Sequence, residues 1–138
     1  MTEQLTFELL SPVKKLIARP VTMVTVPGTE GDFGVLPGHA PMVADVRPGL
    51  VEMYDGERVS ERIFISGGFA EVTGEKCVVL TQEAIPLAEL SAAGLEAEIK
   101  ELGESIAELG EDSETARAAL AEKLVIAQAK LEVAATAR

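Results

Sequence analysis

The sequence predicts a β-sandwich, or flattened barrel, of about eight to ten short strands, followed by an antiparallel α-helical hairpin. The main observation is a change of composition at Pro86. Every proline, phenylalanine and methionine lies at or before this residue, and the residues after it are mostly Ala, Leu, Glu and Lys. The first composition is typical of strands and tight turns, and the second of long helices. We therefore expect a β domain over residues 1–86 and a helical domain over 87–138.

The strands are predicted from alternating or β-branched runs that end at turn residues. Leu5, Phe7 and Leu9 alternate with residues that face the other way, and Pro27-Gly28 and Pro48-Gly49 end later runs. Asp55-Gly56 predicts a two-residue hairpin turn of type I′. The predicted strands cover residues 5–10, 21–26, 42–46, 50–54, 58–65 and 76–81, and further short strands lie around the glycines at 67, 68 and 74.

The helices are predicted from apolar residues that recur every three or four positions. Ser91 is a candidate N-cap for the first helix, Gly110 a stop signal, and Asp112 or Ser113 a cap for the second helix. The two apolar seams are Ala92, Leu95, Ile99, Leu102, Ile106 and Leu109, and then Leu120, Leu124, Ala127, Leu131 and Ala134. Because neither seam can be buried by its own helix, we expect the two helices to pack together as a hairpin.

Composition excludes several classes of function. The formal net charge is −11, which disfavours nucleic acids and anionic lipid surfaces as partners. No apolar run reaches the length of roughly 18 residues that spans a bilayer, and the first residues lack the pattern of a secretion signal. We therefore expect a soluble, cytosolic protein without direct membrane insertion. Cys77 is the single cysteine, and we expect a buried hydrophobic residue there, with neither a disulfide nor a cysteine zinc site.

One ordered segment suggests a family. Residues 28–42, interpreted as a loop, contain Gly-x-x-Gly-x-x-Pro-Gly-His-Ala-Pro, and the segments 6–12, 46–49 and 65–72 occur in a compatible order. Together they resemble the epsilon subunit of bacterial F-type ATP synthases, which is called delta in mitochondria. The resemblance covers essentially the whole chain and is strongest over residues 5–85.

The resemblance implies a mechanical role. It implies a non-catalytic rotor subunit of the central stalk, which couples rotation of the c-ring to the gamma subunit and so to ATP synthesis. The sandwich would bind gamma and the c-ring, with Asp32, Phe33 and His39 in the loop that contacts the ring, and the helices could reach the alpha/beta head. It also implies a peripheral position at the cytoplasmic face of the inner membrane, with no cofactor or metal.

Two regulatory features of the family are predicted to be weak here. Some relatives bind ATP through an Asp and an Arg early in the first helix, and those positions hold Ser91 and Gly94 here. Arginines on the second helix assist in those relatives, and the corresponding positions lie near Leu124 and Gln128. We therefore expect weak ATP binding or none. Basic and acidic residues nearly balance on the second helix, and the first helix is acidic. We therefore expect little inhibition of ATP hydrolysis.

Two other functions stay open. One is a free-standing adaptor or chaperone that uses the hairpin as a clamp. The other is a small enzyme that uses His39, the only histidine, with Asp32 or Asp45. His39 has no serine or cysteine partner in a recognisable motif, and no phosphate-binding glycine loop is present, so a contact role for His39 is the better interpretation.

Overall fold

The computed structural model describes residues 3–136 and divides the chain into two compact units, Met1–Leu87 and Ala88–Arg138. In the described residues the first unit holds ten strands, which confirms the predicted class of fold. They are β1 (Leu5–Leu10), β2 (Lys15–Val21), β3 (Met23–Gly28), β4 (Gly31–Val35), β5 (Met42–Val46), β6 (Gly49–Asp55), β7 (Arg58–Ile65), β8 (Gly68–Val72), β9 (Lys76–Leu80) and β10 (Ala84–Pro86).

The ten strands form one hydrogen-bonded sheet, which curls into two layers of five. One layer has the order β4-β3-β6-β7-β10 and the other β5-β8-β9-β1-β2, and they meet where Gly28 of β3 pairs with Val46 of β5. The chain changes layer after β2, β4, β5, β7 and β9, and Arg47 and Pro48 form the crossing from β5 to β6. Both layers supply side chains to a single apolar core, as expected of a sandwich. This core comprises Leu5, Phe7, Leu9, Val21, Val24, Val26, Val35, Val46, Val51, Met53, Ile63, Ile65, Ala70, Val72, Cys77 and Val79.

The sequence did not predict strands β2, β4 and β10, and all three lie at edges of the sheet. β2 contains Pro20, which pairs with Thr6, and β4 contains Gly31 and Gly34. Proline and glycine disfavour a central strand, which pairs on both sides, so the sequence at these positions indicates a loop. An edge strand pairs on one side only, so it tolerates a missing N–H group and a weak β-former.

The turn between β6 and β7 differs from its prediction by one residue. Asp55 pairs with Arg58, so the two central residues are Gly56 and Glu57. Only Gly56 has a positive φ, of 68°. A glycine in the first central position fits a type II′ turn, whereas the predicted type I′ turn needs positive φ at both positions.

The second unit is a pair of helices. After a short 3₁₀ turn, Leu87–Glu89, the helices are α1 (Ala92–Ala107) and α2 (Glu114–Thr136), and they pack on each other. Ser91 caps α1, because its Oγ accepts a hydrogen bond of 3.2 Å from the N–H of Gly94. The predicted seams hold except at Ala92, which is exposed in the first position of α1. Neither described helix is long and apolar enough to cross a bilayer.

Candidate functional site

The segment 28–42 is not one loop. β3 and β4 form a hairpin in which Gly28 pairs with Gly31, and Thr29 and Glu30 make the turn. Residues 28–32, here called the 28–32 turn, place three exposed polar residues, Thr29, Glu30 and Asp32, at one end of the sandwich. Phe33 is half-buried behind them and packs against the core. The tip of this hairpin is therefore polar and its base is apolar.

Arg47 holds the 28–32 turn in place. Its Nη1 donates to the carbonyl oxygen of Gly28 and its Nη2 to Oδ1 of Asp32, each at 2.5 Å. The backbone N–H of Arg47 also donates to the carbonyl oxygen of Pro27, at 2.8 Å. Arg47 thus binds the 28–32 turn at two points, Gly28 and Asp32, and binds the preceding residue of β3 at Pro27.

The same end of the sandwich is closely packed. A β-carbon at Gly28 would lie 2.7 Å from the carbonyl oxygen of Gly31, and one at Gly68 would lie 1.8 Å from that of Leu80. Contacts this short leave no room for a side chain, so glycine is required where β3, β5 and β8 converge. The 28–32 turn is therefore mounted on a rigid corner of the fold.

His39 lies at the opposite end of β4 from Asp32. Asp32 lies at the start of β4, next to the turn, whereas His39 lies beyond its other end. There the N–H of Gly38 donates to the carbonyl oxygen of Gly74, between β8 and β9, at 2.7 Å. At about 3.3 Å per residue, the strand separates the two ends by roughly 13 Å. Nδ1 of His39 lies 2.7 Å from the carbonyl oxygen of Ala40. The structure therefore brings together Asp32 and Phe33 but not His39, and it does not form the His39–Asp32 pair that an enzyme would need.

A further surface was not predicted from the sequence. The outward side of the layer β5-β8-β9-β1, here called the outer face, carries Leu10, Val43, Phe69, Val78 and Leu80. Leu10, Leu80 and Phe69 lie opposite one another on adjacent strands. Val43 is 71% exposed and Phe69 is 43% exposed, and Phe69 is continuous with Leu80 and Leu10 across the strands. The available signal was that residues 42–44 and 77–80 are apolar at consecutive positions, so that both sides of these strands are apolar.

Glu8 lies beside the apolar part of the outer face. Its residue is only 8% exposed, and its carboxylate is 2.7 Å from Nζ of Lys15 and 3.0 Å from Nζ of Lys76. Hydrogen bonds from Lys15 and then Lys76 lower the pKa of this carboxyl group below its usual value, against the opposing effect of burial. The Glu8 charge is thus neutralised within the sheet and does not disturb the apolar surface.

Other candidate chemical groups are occupied or buried. Cys77 is fully buried in the core, and burial raises the pKa of its thiol to about 12. The thiol is therefore protonated and inaccessible at neutral pH. The residues that the structure describes contain no group of three or more His, Cys, Asp or Glu side chains arranged to hold a metal ion.

The positions of the ATP motif on the helical unit also have local roles. The Ser91 hydroxyl is used as the cap of α1, and Gly94 supplies the N–H group that it accepts. On α2, Leu124 is half-buried in the seam and Gln128 is exposed. None of these four side chains carries a charge that could bind a triphosphate.

Comparison with known sequences gives a consistent result. The family model described as "ATP synthase, Delta/Epsilon chain, beta-sandwich domain" matches residues 4–87. An ATP synthase epsilon chain of Rhodospirillum centenum is 50% identical over 99% of this chain and 95% of its own length. One of Rhodospirillum rubrum is 47% identical over 90% of this chain and 92% of its own length.

Solved structures agree with the sequence comparison. A chain from the mitochondrial ATP synthase of Euglena gracilis, solved as an OSCP/F1/c-ring assembly, matches with a TM-score of 0.79 and 28% identity, covering 96% of this chain and 81% of its own. A chain from the central stalk and c-ring of the Tetrahymena thermophila mitochondrial enzyme matches with a TM-score of 0.64 over 96% of this chain and 98% of its own. At 11% identity, the second likeness concerns the fold alone.

Proposed function

Because this chain belongs to the delta/epsilon family of ATP synthase subunits, we propose that it is the non-catalytic subunit of the central stalk that couples the c-ring to gamma. The observation that carries this proposal is the 50% identity to an ATP synthase epsilon chain over 99% of the sequence. Similarity of that extent includes both units and not the sandwich alone. The chain would then lie at the cytoplasmic face of the inner membrane, held there by its partners.

The sandwich suits the transmission of torque. Its core is close-packed, and its two layers are joined both by β3–β5 pairing and by an ion pair between Arg19 of β2 and Glu61 of β7. A coupling element must resist twist and adhere to two partners at once. We propose that residues 1–86 perform this task and that the helical residues 87–138 play a secondary part.

Two surfaces of the sandwich are suited to two partners. The outer face exposes Val43 and Phe69, which pair across the strands with the exposed carboxylates Glu71 and Asp45, so it suits a contact of mixed apolar and polar character, which we assign to gamma. The 28–32 turn, with Asp32 and Phe33, projects from the end of the layers and suits a contact with the polar surface of the c-ring. β5 runs from one surface to the other, so a force on the turn reaches the outer face through one strand. His39, at the far end of β4, is proposed as a separate partner contact.

No reaction is assigned to the chain. Oδ1 of Asp32 is bound by Arg47, Nδ1 of His39 lies 2.7 Å from the carbonyl oxygen of Ala40, and the Cys77 thiol is buried. These residues support a role in binding. A group that served as a general base would need a free position facing a substrate.

The helical hairpin is proposed to bind ATP weakly or not at all and to inhibit hydrolysis little. Uncharged Ser91 and Gly94 occupy the motif positions. On α2, Arg117 donates to the carbonyl oxygens of Leu109 and Gly110 at 3.4 Å, so it is partly engaged at the end of α1. Lys123 and Lys130 lie near Glu122 and Glu132 in sequence. Little positive charge is therefore left to attract an acidic partner.

A pull-down tests the proposal. The tagged full-length chain is mixed with detergent-solubilised membranes of its own organism, and the retained proteins are identified. Retention of gamma together with the c-ring is expected. Retention of unrelated unfolded proteins would instead indicate an adaptor or chaperone, and retention of neither gamma nor the ring would refute the proposal.

A further inference from the structure

We infer that Arg47 is a positioning residue, which fixes the 28–32 turn and the Asp32 carboxylate in the orientation needed to dock on the c-ring. The inference rests on the proposed function. Arg47 lies outside the predicted contact segment, and its role is to hold Asp32 and Gly28 in position.

The geometry of the guanidinium group carries the inference. Nη1 and Nη2 donate to a backbone carbonyl and to a carboxylate on opposite sides of the same turn, at Gly28 and Asp32. Two fixed donors on one planar group define the distance between their acceptors. The Arg47 backbone is itself fixed to Pro27. The turn is thus fixed to the segment that joins β5 to β6.

The turn needs such a clamp, because its own sequence gives little rigidity. Gly28 and Gly31 flank Thr29 and Glu30, and Gly31 has a φ of 133°, with no atom within 4 Å of where a β-carbon would lie. Beyond the pairing of Gly28 with Gly31 and Val46, a hydrogen bond of 3.0 Å from the N–H of Thr29 to the carbonyl oxygen of Asp45 holds the tip. Arg47 supplies the side-chain contacts of the turn. The Asp32 side chain is 70% exposed, and in the described residues no group donates to its Oδ2. That oxygen is therefore available to a donor on the ring.

Stability alone does not explain this arrangement. The Arg47 and Asp32 side chains are 43% and 70% exposed, and exposed ion pairs contribute little to the free energy of unfolding. A second cross-strand pair, Arg62 with Glu52, has a similarly exposed arginine at 41% but lies on β6 and β7, away from the turn. Loss of Arg62 therefore removes the same charge and the same kind of contact without touching the turn.

The test measures binding of full-length variants to a purified complex of c-ring and gamma. The variants are Arg47→Met, Arg47→Lys, Asp32→Asn, the double variant Arg47→Met/Asp32→Asn, and the control Arg62→Met. We expect Arg47→Met to weaken affinity about tenfold, mostly by faster dissociation. Lysine, which cannot donate along two fixed directions, should restore little of the loss. Arg62→Met should bind as the original chain does.

Two further readouts separate positioning from direct contact and from folding. If Arg47 acts through Asp32, the double variant loses no more affinity than the worse single variant, because the effects share one pathway. Amide hydrogen exchange at residues 29–33 should accelerate in Arg47→Met and not in Arg62→Met. Fully additive losses, unchanged exchange, or equal binding of Arg47→Met and Arg62→Met would overturn the inference while the original chain still binds. Failure of the original chain to bind would overturn the proposed function as well.

Discussion

Gly68 lies so close to Leu80 that a β-carbon on it would be 1.8 Å from the carbonyl oxygen of Leu80. Gly31 has almost the same φ, 133° against 132°, yet a β-carbon added there would have no atom within 4 Å. The two glycines therefore separate the effect of backbone conformation from the effect of close approach between strands.

We predict that alanine is far more damaging at Gly68 than at Gly31. Gly31→Ala should lower the free energy of unfolding by about 1–3 kcal/mol, from backbone strain alone. Gly68→Ala adds a steric clash between β8 and β9 and should cost about 4 kcal/mol or more, or prevent folding. Urea unfolding of the two variants measures the difference, and equal losses would contradict the packing at this corner.

The Glu8 ion cluster predicts a contribution to stability that depends on pH. The folded protein lowers the Glu8 pKa below its ordinary value of 4.5. The contribution is therefore fully present above that value and is lost as the pH falls through the lower pKa of the folded state. The stability difference between the original chain and Glu8→Gln should shrink between neutral pH and pH values below 4.5.

Glu71→Gln is the matched control for Glu8, because Glu71 lies on the same side of the sheet and is exposed. In the described residues it forms no ion pair. Denaturant unfolding of all three proteins over a series of pH values makes the comparison. If Glu71→Gln changes the free energy of unfolding at acid pH as much as Glu8→Gln does, the ion pairs of Glu8 with Lys15 and Lys76 do not cause the pH dependence.

Cys77 should be unreactive in the folded protein. Its side chain is fully buried, and burial raises the pKa of the thiol to about 12, so almost no thiolate is present at about pH 8. We expect a thiol reagent to label the native chain only at the slow rate of unfolding, and to label it at once in denaturant. Mass spectrometry follows the modification with time. Rapid labelling of the native protein would place Cys77 outside the core.

Gly103 should weaken α1 without a compensating contact. A β-carbon added at this position, in the middle of the helix, would have no atom within 4 Å. Gly103→Ala should therefore stabilise the helix by about 1 kcal/mol. The gain should be smaller for Gly94→Ala, where the β-carbon would lie 3.4 Å from Oγ of the capping Ser91. Amide hydrogen exchange along α1 in the full-length chain reports both effects, and faster exchange in Gly103→Ala would contradict the prediction.

Removal of the hairpin should have little effect on ATP hydrolysis. A chain that ends at residue 87 keeps the described sandwich, and the reconstituted enzyme should hydrolyse ATP within about twofold of the rate seen with the full chain, or about 0.4 kcal/mol in activation free energy. The reason is the near balance of charge on α2. The hydrolysis rate is measured for enzyme reconstituted with the truncated chain, with the full-length chain as the control, and with neither. A large rise on truncation would show that the hairpin inhibits.

The sequence predicted the parts of the fold that depend on local pattern. Alternation and turn residues located the central strands such as β1, β6, β7 and β9, because their side chains are sorted between core and surface. The cap at Ser91 and the two helical seams follow from similarly local rules. The motif of residues 28–42 identified the family, although it did not reveal that β4 lies inside the segment.

The edge strands and the surfaces depended on tertiary context. β2 and β4 form only because a neighbouring strand supplies one side of the pairing. Arg47 was part of a recognised turn, but its contact with Asp32 spans fifteen residues and requires β3, β4 and the layer crossing to be in place. The same holds for Leu10, Phe69 and Leu80, which become one surface only by strand pairing.

By itself, the sequence determined the class of fold, the strands whose side chains alternate, and the family, since each of these follows from residue composition and short-range spacing. Only the tertiary structure decided that Asp32 and His39 lie at opposite ends of a strand, that Arg47 clamps the 28–32 turn, and that one side of the sandwich is an exposed apolar face. The physical reason is that strand pairing joins residues far apart in the chain, and the register of that pairing is fixed by the packing of the whole core.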